Sequence, residues 1–78
     1  MKITMRDGRT FQGTALQIVR AMQDIAFDAS HFTTAEYVRW VVDNAQRFEE
    51  VALDVTGETD DELAESLVGE MVRAGLAR

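Results

Sequence analysis

The chain of 78 residues contains no cysteine and no proline. Without cysteine there is no disulfide framework, no thiolate metal ligand and no thiol nucleophile. A protein without disulfides is typical of a reducing compartment, so we expect a cytoplasmic location. No apolar run approaches the ~20 residues of a membrane span, and residues 1–6 do not form the apolar core of a signal peptide. The sequence therefore predicts no association with a membrane.

The charge of the chain is acidic overall but unevenly distributed. Eight basic residues stand against 14 acids, which gives a formal net charge of −6. Residues 1–23 contain only Asp7 as an acid, whereas acids crowd residues 58–65. The basic residues of the first stretch are Lys2, Arg6, Arg9 and Arg20. An acidic chain repels phosphate backbones, so the composition disfavours sequence-independent binding to nucleic acid.

Residues 1–13 have the pattern of a β-hairpin. Ile3 and Met5 alternate with polar residues, as in a half-buried strand, and Asp7-Gly8 is a turn signal. A two-residue loop would place Phe11 on the polar face, whereas a three-residue loop over 6–8 pairs Ile3 with Phe11 on the apolar face. Because burial selects the register of a strand pair, we predict the three-residue loop, with Gly8 in the left-handed region.

The helical pattern with the widest apolar arc covers residues 13–27 and predicts a central helix. Thr14 and Gln17 have the spacing of a capping box. The apolar arc is wide, with only Gln23 interrupting it, and this width predicts contacts with both the sheet and another helix. Leu16 and Phe27 extend the arc, so they either complete the core or reach the surface and meet a partner.

Two further helices are predicted from their start signals. Thr33 and Glu36 form a capping box that opens a helix ending near Glu49, and Phe48 lies on its apolar face. Thr59 and the acid three residues later open a third helix in the same way. The acids at its start and the basic residue at its end match the helix dipole.

Between these helices, residues 51–56 alternate between apolar and polar side chains and predict a third strand. A two-stranded hairpin alone is marginal in water, and a third strand would stabilise it. We therefore predict an α+β fold with a small antiparallel sheet packed on three helices, in the order ββααβα. Residues 1–78 are expected to form one domain.

The sequence shows no catalytic constellation. His31 is the only histidine, and no serine or threonine is marked as a nucleophile that it would activate. The acids of residues 58–65 lack the alternating ligands and central glycine of a calcium loop, and a helix N-terminus explains them better. The glycines are scattered and form no phosphate-binding loop. We expect no enzyme activity, no cofactor and no metal.

One partial resemblance points to DNA. The segment Thr34-Ala35-Glu36-Tyr37-Val38-Arg39 is similar to the start of the second helix in ribbon-helix-helix antitoxins and repressors. Lys2, Thr4 and Arg6 resemble the DNA-reading strand of that family. The resemblance implies a dimer whose paired strands enter the major groove. The residues that would then contact DNA are Lys2, Thr4, Arg6 and Arg9. Residues 7–13 depart from the pattern, because they add a turn and a second strand.

Trp40 is the remaining candidate for a functional residue. It lies on the flank of the second helix, where it either completes the core or anchors an interface, since tryptophan is enriched at interfaces. Exposure of Trp40 together with Leu16 and Phe27 would mark a binding patch. We therefore predict a non-catalytic protein-interaction or regulatory module that binds a partner protein or a second copy of itself. The alternative is a small DNA-binding regulator.

Overall fold

The computed structural model describes all residues from 1 to 78. It shows three helices and a two-stranded antiparallel sheet, which confirms the predicted α+β class. The elements in chain order are β1 (Lys2–Thr4), β2 (Thr10–Gln12), α1 (Ala15–Asp24), α2 (Thr34–Phe48) and α3 (Asp60–Arg73). None of the three helices combines the length and the apolar character that a membrane crossing requires.

The hairpin has the predicted register. Ile3 pairs with Phe11, and the Met5 N–H donates to the Arg9 carbonyl at 2.7 Å. Gly8 adopts a φ of 93°, which closes the three-residue loop in the left-handed region. Ile3 is buried, and Met5 and Phe11 are partly buried. Burial of one strand face therefore selected the register, as the apolar pattern predicted.

All three capping boxes are formed. In each, a threonine hydroxyl accepts from a backbone N–H in the first turn, and the N3 side chain accepts from the threonine N–H. The pairs are Thr14 with Gln17, Thr33 with Glu36, and Thr59 with Glu62. Because each box satisfies two otherwise unpaired donors, the three helices begin where the sequence predicted. The backbone hydrogen bond from Thr33 holds the pKa of Glu36 below its usual value.

The predicted third strand over residues 51–56 is not confirmed, and the observed order is ββααα. The alternation of burial is present, since Leu53 is buried and its neighbours are exposed. However, side chains of α3 satisfy the backbone of this segment. The Asp54 N–H donates to Glu70 Oε1 at 2.8 Å, and the Thr56 N–H donates to Ser66 Oγ at 3.0 Å. These bonds replace a strand ladder.

The C-terminal residues, not residues 51–56, lie beside β1. After α3 the chain turns at Gly75, whose φ is 80°, and the Leu76 N–H donates to the Met71 carbonyl at 2.9 Å. This is the pattern of a Schellman C-cap. Thr4 and Arg78 then exchange two backbone hydrogen bonds of 2.8 and 3.0 Å. The outer edge of β1 is therefore paired by the chain's own end.

The core is centred on the contact between α1 and α3. Four side chains there have no solvent exposure: Ile18, Val19, Ala64 and Leu67. Residues from β1, α2 and the segment before α3 extend this cluster, with Ile3, Val38 and Leu53 as examples. The predicted central helix thus lies at the centre of the fold, although it ends at Asp24, three residues earlier than the pattern indicated.

Candidate functional site

A surface groove runs between the hairpin turn and α2. Its larger lobe has a volume of about 420 Å³ and its smaller lobe about 190 Å³. The two lobes share Met5, Asp7, Met22 and Tyr37 as lining residues, so they form one continuous groove. Nine of the 13 residues that line the larger lobe are hydrophobic. The groove therefore offers an apolar surface that the chain itself does not cover.

Flexible and aromatic side chains form this surface. Met5, Met22 and Met71 line the larger lobe, and they are three of the four methionines of the chain. Methionine has three rotatable bonds and a polarisable sulfur, so it adapts to differently shaped partners. Tyr37 and Trp40 lie one helical turn apart and stack with ring centroids 5.8 Å apart. The lining thus combines adaptable side chains with a rigid aromatic pair.

Tyr37 is the most deeply placed polar residue of the groove. Its side chain is 3% exposed and lines both lobes. Burial raises the pKa of its phenol to about 12, so the hydroxyl is neutral at physiological pH. The hydroxyl donates to no group of the chain. However, the structure contains no fully buried side-chain nitrogen or oxygen that lacks a hydrogen-bond partner. The hydroxyl is therefore not completely sealed from solvent.

Exposed apolar side chains mark the two ends of the groove. Phe48 lines the larger lobe and is 72% exposed, and Ile25 lines the smaller lobe and is 52% exposed. The prediction that Phe48 faces the core is therefore wrong: Ala45 in the same last turn of α2 is buried, but the Phe48 side chain extends past the core. An apolar groove continuous with exposed apolar residues is more than the scattered exposure of an ordinary surface.

The charged residues of the groove balance one another. Across both lobes they are two arginines and two acids. Arg6 Nη1 lies 3.4 Å from Glu49 Oε2, and Arg6 Nε also donates to the Gly75 carbonyl at 3.0 Å. Arg9 Nε lies 3.5 Å from Asp7 Oδ2. The groove is therefore electrically neutral in a chain whose net charge is −6.

The structure separates the three predicted partner-binding residues. Trp40 is half-buried and lines the larger lobe. Phe27 is 95% exposed and lines neither lobe. Leu16 is partly buried against the core cluster. The three do not form one patch, and only Trp40 belongs to the groove.

The four residues predicted to contact DNA differ in their exposure and in their contacts within the chain. Lys2 and Arg9 are exposed, and the Thr4 hydroxyl lies 3.5 Å from that of Thr10. Arg6 is held by α2 and by the end of α3. Since the C-terminal residue Arg78 pairs with β1, a second copy would meet an occupied edge there. DNA reading by these residues stays a prediction.

The remaining candidate groups lie outside the groove. His31 is exposed, and its ring meets the edge of Phe32 at a centroid distance of 4.8 Å. No cluster of three or more histidines, aspartates or glutamates is arranged to hold a metal ion. Within the acidic stretch of residues 58–65, Glu62 accepts from the backbone N–H groups of Glu58 and Thr59, which lowers its pKa.

Gln23 positions one end of the groove, a role that the sequence analysis missed. It is 8% exposed, and its Nε2 donates to the Ala29 carbonyl at 3.0 Å and to the Phe32 carbonyl at 2.6 Å. These bonds hold the turns after α1, the segment that begins with Ile25. A single polar residue inside a wide apolar arc was the available signal, because a buried amide requires partners.

Comparison of the chain with protein-family profiles, with curated proteins and with solved structures gives no match. The groove has a mostly apolar lining in which two arginines and two acids balance one another, and it is bordered by the exposed Phe48.

Proposed function

We propose that this protein is a non-catalytic interaction module that binds apolar side chains of a protein partner in the groove beside its hairpin. The observation that carries the proposal is the continuous apolar groove with an exposed aromatic side chain, Phe48, at its end. A chain this short has a small core and low stability. Apolar side chains that stay exposed in the groove add little to that stability. A binding role accounts for them.

The composition of the groove supports a protein ligand. Interfaces are enriched in tryptophan, tyrosine and methionine, and Trp40, Tyr37 and three methionines line this surface. An aromatic pair beside adaptable thioethers is suited to receiving apolar anchors of a partner.

The polar groups of the groove also favour binding over catalysis. Its charged side chains form two ion pairs, and no histidine or serine lines it. A nucleophile beside a general base is what covalent catalysis requires. A regulatory role in the cytoplasm, which the cysteine-free sequence favours, is part of the proposal.

Site-specific photo-cross-linking tests the proposal. A benzophenone analogue of phenylalanine replaces Phe48 in one variant and Phe27 in a matched control, and each variant is expressed in the source organism and irradiated. We expect a discrete cross-linked protein product, with another protein or with a second copy, from position 48. The same product should be absent or much weaker from position 27, because Phe27 lies outside the groove.

Cross-linking from position 27 alone would place the interface elsewhere and contradict the proposal. The absence of any protein product from position 48, with the variant folded and expressed, would also contradict it. Circular dichroism of both variants supplies the folding control.

A further inference from the structure

We infer that the partner which fills the groove is a second copy of this chain, with the Phe48 side chain of each copy inserted into the groove of the other. The inference rests on the proposed function, because it names the occupant of the same surface. It is argued from the charge of the groove and from the position of Phe48 beside it.

Charge is the first argument. Two copies of a chain with a net charge of −6 repel one another over most of their surfaces. The groove is an exception, since its charged residues are two arginines and two acids. Apolar association of two copies through this surface therefore brings no net charge of the groove against itself. If the partner were a basic protein, we would instead expect acidic residues around the binding surface.

The arrangement of the rim charges is the second argument. In a two-fold symmetric interface the same patch meets itself, so a cation on one copy must meet an anion on the other. Arg6 and Glu49 lie side by side at the rim, and their side chains remain 60% and 51% exposed. Each is therefore accessible to the matching residue of the second copy, and the bond from Arg6 Nε to the Gly75 carbonyl keeps the arginine at the rim. The rim is self-complementary.

The position of Phe48 is the third argument. It is 72% exposed and directly adjoins an apolar cavity of about 420 Å³. A protruding aromatic ring beside a cavity is self-complementary under a two-fold axis, because each copy supplies one ring and one cavity. The receiving cavity is lined by the half-buried Trp40, whose ring stacks on Tyr37 and offers aromatic surface to an entering ring.

Sedimentation velocity of the full chain over a range of concentrations is the first test. We expect wild-type protein to pass from monomer to dimer as concentration rises. Phe48→Glu should weaken the dimer by about tenfold or more, since it removes the apolar side chain that each copy inserts and adds charge. Phe27→Glu is the matched control and should dimerise like wild type, because Phe27 lies outside the groove.

A charge exchange between copies is the sharper test. Arg6→Glu and Glu49→Arg each break the pair within a chain and place like charges across the two-fold interface. Each variant alone should therefore dimerise more weakly than wild type. When the two variants are mixed, every cross-interface pair becomes attractive, and a heterodimer should form. Only contacts between copies predict recovery on mixing.

The outcomes separate this inference from the proposed function. Wild-type protein that stays monomeric at every accessible concentration would overturn the inference, as would a mixture of the two charge variants that associates no better than each alone. In both cases cross-linking of position 48 to a different protein would leave the proposed function standing.

Discussion

The contact between α1 and α3 and the groove between the hairpin and α2 differ in how completely the chain covers its apolar side chains. In the first, Ile18 and Leu67 have no solvent exposure. In the second, Trp40 is half-buried and Phe48 is 72% exposed. Both surfaces border α1, since Met22 of that helix lines the groove. The same helix therefore contributes to a closed contact and to an open one.

The side chains on the two surfaces differ in kind. The closed contact combines branched residues with Ala64, a small residue that lets the helices approach. The groove has buried methionines and Tyr37 at its base, and Trp40 and Phe48 are its more exposed aromatic rings. Branched aliphatic residues fill a fixed space, whereas methionine adapts to a changing one. The difference teaches that the groove rests on the same core as the closed contact, since Met22, Tyr37 and Met71 belong to both, and that only its outer side chains, such as Phe48, are left uncovered.

The largest expected effect is on the closed contact. Leu67→Ala should lower the free energy of unfolding by about 2–5 kcal/mol, because it leaves a cavity at a fully buried position. Urea denaturation measures the loss. Val72→Ala on the same helix is the control, and it should change stability little because Val72 is 45% exposed. Equal losses in the two variants would contradict the assignment of the core.

Gln23 fastens the segment after α1 and should show the next largest effect. Gln23→Leu keeps the size of the side chain but leaves the Ala29 and Phe32 carbonyls without their donor. We expect a loss of about 1–3 kcal/mol in the free energy of unfolding. Gln46→Leu, at an exposed position of α2, is the matched control. A Gln23→Leu variant as stable as this control would show that the two bonds contribute nothing.

A gain of stability is expected at Gly69. This residue lies in α3, and an added Cβ would meet nothing within 4 Å. Gly69→Ala should therefore raise the free energy of unfolding by about 1 kcal/mol, through helix propensity alone. Gly75→Ala is the contrasting control and should destabilise, because its φ of 80° favours glycine. Destabilisation by Gly69→Ala in thermal or urea denaturation would reveal a contact that the structure lacks.

The free energy of unfolding should depend on pH through Glu70, which binds the segment between α2 and α3. Hydrogen bonds from Arg73 and from the Asp54 N–H lower the pKa of Glu70 from its usual value of 4.5. A carboxyl group with a lowered pKa in the folded state stabilises the protein above its unfolded pKa. That contribution is lost as the pH falls through the folded pKa.

Urea denaturation at a series of pH values measures this effect. Wild-type stability should decline below pH 4.5, the usual value of the carboxyl, and Glu70→Gln should decline less steeply there. Parallel declines in the two proteins would assign the acid sensitivity to other groups, such as Glu36 and Glu62, whose pKa values are also lowered.

The local features of the fold were predictable from the sequence. The register of the hairpin and the starts of the three helices depend on residues within a few positions of each other. The third strand was not, because alternation over residues 51–56 reports which side chains are buried and not which groups pair with the backbone. Glu70 and Ser66 supply those groups from a later helix.

The groove was less predictable than the fold. Trp40 was a candidate from its residue type and its place on the helix flank. Met5, Met22 and Met71 come from three separate parts of the chain, and only tertiary packing brings them together. Phe48 is exposed because no other part of the chain covers its side chain. The spacing of apolar residues within α2 does not reveal this.

The variant Phe48→Ala has the smallest expected effect on folding. It tests most directly whether Phe48 lies outside the core. The free energy of unfolding of Phe48→Ala is measured by urea denaturation, followed by Trp40 fluorescence, at protein concentrations low enough to exclude association. We expect a value within about 0.5 kcal/mol of wild type, because Phe48 is 72% exposed. A loss of about 2 kcal/mol or more would show that Phe48 belongs to the core in solution and that the groove is closed.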